Sequence, residues 1–162
     1  MLPTDSPAKR LMNVRDSYFT DTNLLLYAVD GREPVKRARA LEWISYLWST
    51  GKGRLSMQVL NEFYANAVRK LAIPVSEARE RVGVFGEWKP GGISLELIEL
   101  AWRGTDHAQV THWDALILAS AEEQGCRWLL SEDFQAGRRY GNIEVINPFQ
   151  TAPPDLNGAG LH

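Results

Sequence analysis

The pattern of apolar and polar positions divides the chain into short extended runs and longer helical ones. Residues 17–20 are aromatic and β-branched and read as a strand. They lead into Asp21, Thr22 and Asn23, then an unbroken apolar run at 24–29, then the turn-forming stretch 30–34. Residues 35–49 form a predicted helix carrying Ala38, Leu41, Ile44, Tyr46 and Trp48, broken by Gly51 and Gly53. After a short strand at 54–56, Ser56 is placed to cap a helix that runs to about Leu71. On it Val59, Leu60, Phe63, Ala67 and Val68 recur at helical spacing. Further helices are predicted from Pro74 to about Val84, from Ile93 to about Trp102, and from His112 to Gln124, the last capped by Thr111 and stopped by Gly125. Residues 127–131 read as a buried strand. Residues 143–146 read as the final one, ended by Asn147-Pro148.

Strands alternating with helices predict an α/β fold, a sandwich around a mainly parallel sheet. Sites in such sheets gather beyond the carboxyl ends of the strands. That rule singles out Asp21, after the first strand, and Asp133, after the strand at 127–131. A length of 162 residues suits one domain. The expected division is an arm at 1–16, a domain at 17–149 and a Pro- and Gly-rich, disordered tail at 150–162. The lone Cys126 has no internal disulfide partner, no apolar run reaches the length of a membrane span, and the first residues lack the apolar core of a signal peptide. A cytoplasmic location is the expectation.

Four segments set an acid among apolar residues: Asp21 after Phe19-Thr20, Glu62 between Leu60 and Phe63, Asp114 in Trp113-Asp114-Ala115-Leu116, and Glu132-Asp133 between Leu130 and Phe134. Buried carboxylates are costly, and several facing one another raise one another's pKa. A hard divalent cation removes the penalty, since Mg²⁺ and Mn²⁺ favour carboxylate oxygen and water, and such a cation can activate water for in-line attack on a phosphodiester. Each acid also has a structural reading. Asp21 is placed to cap a helix, and Glu62 is equally suited to a snorkelling surface position. Thr111-x-x-Asp114 fits a capping box, and Asp133 suits a solvated loop. Asp114, however, shares a helix face with the apolar Ile117, Leu118 and Ala121.

The ordered set carries more weight than any member. Asp-Thr-Asn-Leu-Leu at 21–25, Asn-Glu-Phe at 61–63, Trp-Asp-Ala-Leu-Ile at 113–117, Leu-Leu-Ser-Glu-Asp-Phe-Gln-Ala-Gly at 129–137 and Ile-Glu-Val-Ile-Asn-Pro-Phe at 143–149 together resemble the PIN domain, over residues 17–149. The resemblance implies a three-layer α/β/α sandwich and a metal-dependent endoribonuclease of the VapC type, the toxin of a toxin–antitoxin pair. It implies Asp21, Glu62, Asp114 and Asp133 as the catalytic, metal-binding quartet for Mg²⁺ or Mn²⁺, with Glu132 able to share or take the role of Asp133. Thr22, Asn23, Thr111 and Ser131 fall where polar support residues are expected. It further implies an RNA substrate, a small antitoxin that blocks the acidic cleft, and a homodimer. The helix around Trp43, Tyr46, Leu47 and Trp48 either supplies the dimer contact or packs on the sheet.

Other chemistries find less support. Phosphatases of the haloacid dehalogenase type carry Asp-x-Asp after the first strand, whereas position 23 is Asn. Three histidines, one of them the terminal His162, make a histidine-based zinc site a poor fit. No Gly-x-Gly-x-x-Gly or P-loop is present. A PIN-like module that has lost its metal and serves as an RNA-binding scaffold is the alternative; such loss shows as missing acids, and all four are present. The net charge of −2 and a pI near 5.9 run against an evenly basic nucleic-acid surface, which leaves local clusters: Lys36 with Arg37 and Arg39, Arg69 with Lys70, and Arg138 with Arg139.

Overall fold

The structure, a computed structural model, describes residues 16–155. Five strands form one sheet: β1 (Tyr18–Thr20), β2 (Gly53–Arg54), β3 (Trp128–Leu130), β4 (Arg139–Tyr140) and β5 (Ile143–Ile146). Their order is β2-β1-β3-β5-β4. β1, β2, β3 and β5 run parallel, with Phe19 level with Leu129 and Leu129 level with Val145. Only β4 is antiparallel, paired to β5 through a tight turn in which Gly141 takes φ +60°. Six helices connect them: α1 (Thr22–Tyr27), α2 (Pro34–Thr50), α3 (Met57–Arg69), α4 (Val75–Phe85), α5 (Leu95–His107) and α6 (His112–Glu123).

Strand alternation sorts the core into two layers. Phe19, Leu129 and Val145 face Val59 and Phe63 of α3, Ala78 of α4, and Ile117 and Ala121 of α6. Tyr18 and Leu130 face the other way, onto Ala40, Trp43 and Leu47 of α2. The result is the three-layer α/β/α sandwich expected from the sequence. A third apolar cluster joins Leu97 and Ala101 of α5 to Ala115, Leu116 and Ala119 of α6, away from the sheet. Side chains start four of the helices: Asp21, Ser56, Ser94 and Thr111 each accept a hydrogen bond from the first turn. Gly53 is required by close approach, since a Cβ there would lie 2.5 Å from the Trp88 ring.

The chain leaves β1 toward β2 on one side and returns to β3 on the other. The point where the direction of winding reverses therefore lies between β1 and β3, where an open α/β sheet leaves a crevice at its carboxyl edge. Asp21 and the Ser131–Asp133 loop both emerge there.

Several boundaries differ from those read in the sequence. The helix at 93–102 starts at Leu95, after the Ser94 cap, and continues through Gly104 to His107. β4 was not foreseen, as two residues carry no periodicity. Of the two readings of the helix around Trp43, packing on the sheet is the one observed. Trp43, Tyr46 and Leu47 are buried, at 1%, 7% and 0% exposure, and only Trp48 reaches the surface, beside Trp88. Tyr18 anchors this aromatic group, stacked on Trp128 at 4.5 Å and tilted against Trp43 at 5.4 Å. The indole Nε1–H of Trp43 donates to the carbonyls of Pro148 (3.0 Å) and Thr151 (2.9 Å), so packing continues past residue 149. The expected arm lies outside the described residues save Asp16, as does the tail beyond Asp155. Among the described residues no helix is long and apolar enough to cross a membrane.

Trp43→Ala removes the largest fully buried side chain of this layer and both indole bonds. We expect a loss of about 3–5 kcal/mol in urea denaturation. A loss below about 1 kcal/mol would mean that α2 is not anchored through this residue.

Candidate active site

At the carboxyl edge of β1 and β3 lies a cleft of about 140 Å³ whose lining includes Asp21, Glu62, Asp114 and Asp133, together with Asn23, Gln58 and Trp113. Four distant segments supply these acids. β1 ends at Asp21, which also caps α1. α3 presents Glu62 one turn beyond Gln58. α6 offers Asp114 in its first turn, and the loop after β3 supplies Asp133.

Asp21 is the deepest, at 8% exposure. Its Oδ1 accepts from the Thr22 backbone N–H at 2.8 Å and its Oδ2 from the Ser131 hydroxyl at 2.7 Å. Burial pushes its pKa up to about 6, against those two hydrogen bonds, with Asp133 and Glu62 adding repulsion. Glu62 is half-buried and held from both sides. Thr22 Oγ1 donates to one oxygen at 2.9 Å and Gln58 Nε2 to the other at 3.1 Å. Asp133 stands at the rim, where Asn23 Nδ2 donates to its Oδ2 at 2.6 Å. Its pKa is raised by partial burial first, then by Glu132 and Asp114. The Ser131 hydroxyl also accepts from the Asp133 backbone N–H at 3.1 Å, so one serine ties the loop to Asp21.

The capping-box reading of Asp114 is half right. Thr111 Oγ1 accepts from the Asp114 backbone N–H at 3.2 Å, so the cap uses the main chain of Asp114. Its carboxylate lines the cleft instead. Glu132, by contrast, points elsewhere, paired with Lys36 Nζ at 2.9 Å, and does not line the cleft. The four polar residues singled out beside the acids all hydrogen-bond within this network. Gln58 and Trp113 were missed as lining residues. Gln58 was legible as the position one helical turn before Glu62, and Trp113 as the neighbour of Asp114.

Among the described residues no lysine or arginine forms an ion pair with Asp21, Glu62, Asp114 or Asp133. Nor do three acids close into a ready-made metal cage. Mg²⁺ does not require one: it keeps several waters and binds through one or two carboxylates plus substrate phosphate. An oxygen-only donor set with uncompensated charge fits such a cation. Cys126 does not compete as a nucleophile. It is buried just before β3, and burial pushes its thiol up to about 11.

Asp21 predicts a specific pH dependence. Its carboxyl ordinarily ionises near 3.8, whereas in the fold it holds its proton to about 6. The native state therefore binds more protons than the unfolded chain in that interval. Stability falls as pH rises through it and levels off above, by on the order of 2–3 kcal/mol. In chelator, Asp21→Asn is expected to be more stable than wild type at pH 7, with the difference vanishing below about pH 4. Equal unfolding midpoints at pH 7 would show that Asp21 bears no such strain.

The comparisons with known proteins agree with this architecture. No curated protein matches the chain. Among solved structures, the Mycobacterium tuberculosis toxin VapC20, described as cleaving the Sarcin-Ricin loop, is similar with a TM-score of 0.51 at 18% identity, over 72% of this chain and 92% of that one. At that identity the likeness concerns the fold. The PIN domain family model matches residues 18–141, from the first residue of β1 to the turn after β4. With most of its length matched and the order of strands, helices and acids in place, the chain belongs to the PIN domain family.

Proposed function

We propose that this chain is a divalent-metal-dependent endoribonuclease that hydrolyses RNA phosphodiester bonds, and that it acts as the toxin of a toxin–antitoxin pair. The observation that carries the reading is the convergence of four carboxylates from four segments on one cleft, with no lysine or arginine among the described residues paired to any of them. Such an arrangement repels both itself and a polyanionic substrate unless a cation is added. The resemblance to VapC20 supports the toxin role and RNA as substrate class.

Asp21, Glu62, Asp114 and Asp133 would hold Mg²⁺ or Mn²⁺. When bound, such a cation neutralises phosphate charge and lowers the pKa of water. The rest is the work of the chain. Ser131 and the Thr22 amide fix both oxygens of Asp21, so that the deepest acid is aimed without rearrangement. Thr22 and Gln58 do the same for Glu62. Asn23 steadies Asp133 at the rim, where incoming RNA meets the site first.

The decisive comparison is RNA cleavage by wild type and Asp114→Asn, each with Mg²⁺, with Mn²⁺ and with chelator. The substitution leaves the backbone cap intact, so stability should change by less than about 1 kcal/mol. Cleavage should fall on the order of a hundredfold or more. Activity indifferent to both mutation and chelator would refute the mechanism. RNA binding without cleavage under every condition would favour the scaffold alternative.

Assembly as a homodimer, with an antitoxin covering the cleft, belongs to the same proposal. The inward face of α2 is buried, and we assign the contact to α5, where Leu95 and Trp102 are exposed at 63% and 52% and lie seven residues apart on one face. Light scattering at micromolar concentration should give twice the monomer mass, reduced to one by Trp102→Glu. A monomer from the wild-type chain would reject the dimer.

A further inference from the structure

A cationic trough lies next to the acidic cleft. With a volume of about 410 Å³, it separates α5, α6 and the β4–β5 hairpin. Arg103 and His107, four residues apart on α5, form one wall, and Arg138 and Arg139 form the facing one. Leu118 and Ile143 contribute an apolar floor. Glu122 is the single acid in the lining. Several cations elsewhere have carboxylates of their own: Arg32 with Asp30, Lys36 with Glu132, Arg81 with Glu77. Arg103 has no ion-pair partner among the described residues. The contact of Arg139 with Glu144 is long, at 3.7 Å, and open to solvent, so it costs little to break. The guanidinium of Arg138 lies 4.6 Å above the Tyr140 ring, a flat cationic surface beside an aromatic one.

We propose that this trough binds the backbone of single-stranded RNA and leads it into the acidic cleft. The inference rests on the ribonuclease reading and names the surface by which that substrate is held. Proximity is the first argument. The cleft and the trough lie on neighbouring faces of α6: Asp114 and Ile117 line the cleft, while Ala115, Leu118 and Glu122 line the trough, which runs about 10 Å along the helix. Charge is the second. A chain of net charge −2 with a carboxylate cleft gains no general attraction for a polyanion, so affinity must come from a local cationic surface. Chemistry is the third: arginine forks match phosphate, and an aromatic ring within a cationic groove suits unpaired nucleotides.

The test measures binding apart from cleavage. A fluorescein-labelled single-stranded RNA of about 20 nucleotides is titrated with the full chain in chelator, by anisotropy at several salt concentrations. For R103Q/R138Q/R139Q the expected result is at least about tenfold weaker binding at low salt, and a salt dependence of log K shallower by roughly 2, about 0.7 for each phosphate no longer neutralised. Arg103→Gln alone, on an exposed helical position, should remove about 0.7 and keeps the test valid if the triple variant does not fold. Wild-type binding with affinity and slope unchanged in the variants would overturn the trough while leaving the ribonuclease reading intact. RNA binding retained by the triple variant, with binding of a polyglutamate peptide abolished, would assign the surface to a protein and likewise overturn it. A wild-type chain that neither binds nor cleaves RNA with Mg²⁺ present would overturn both.

Discussion

The desolvation of the Asp21 carboxylate is the constraint around which the carboxyl edge of the sheet is organised. A negative charge at 8% exposure, with Glu62 and Asp133 repelling it, opposes folding unless its oxygens are fixed and its neighbours held apart. The structure meets this with short neutral hydrogen bonds. Ser131 reaches across from the adjacent strand, and Thr22 uses its amide for Asp21 and its hydroxyl for Glu62. Because these donors are neutral, they orient the acids without cancelling their charge. An arginine in the same place would stabilise the fold more and remove the attraction for a cation.

How much of this was legible in the sequence follows from the range of each interaction. α3 and α6 were readable because their caps and their apolar faces coincide within a dozen residues. The four acids were readable as an ordered set, through the family resemblance. Taken singly, each had a sound structural interpretation, and for two of them both interpretations hold: Asp21 caps α1 and lines the cleft, while Asp114 lends its amide to a cap and its carboxylate to the site. The choice between Glu132 and Asp133 was not readable, because it is made by Lys36, roughly a hundred residues away. For α2 the sequence left two readings open for a similar reason: the side chains that cover its aromatic residues, Tyr18 and Trp128, come from two distant strands.

The overall charge conceals a strong local separation. Acids gather on one face of α6 near its start, and the trough with its arginines runs along the neighbouring face, so one helix borders two opposite fields. Composition reports only the sum. A pI near 5.9 is compatible with a polyanion-binding protein when the basic groups are clustered and the acidic ones are reserved for a cation.

The bond from Ser131 to Asp21 closes a loop of 110 residues, and β3 occupies the middle of the sheet rather than its edge. During synthesis, a growing chain can therefore complete β1, β2 and all six helices while the centre of the sheet is still missing. The cleft takes shape only when the segment from β3 to Asp133 has left the ribosome and paired with β1, with β5 adding later on its other side. Long-range parallel pairing of this kind is among the slower steps of folding. The topology itself delays assembly of the four-acid cleft until synthesis of the domain is nearly finished.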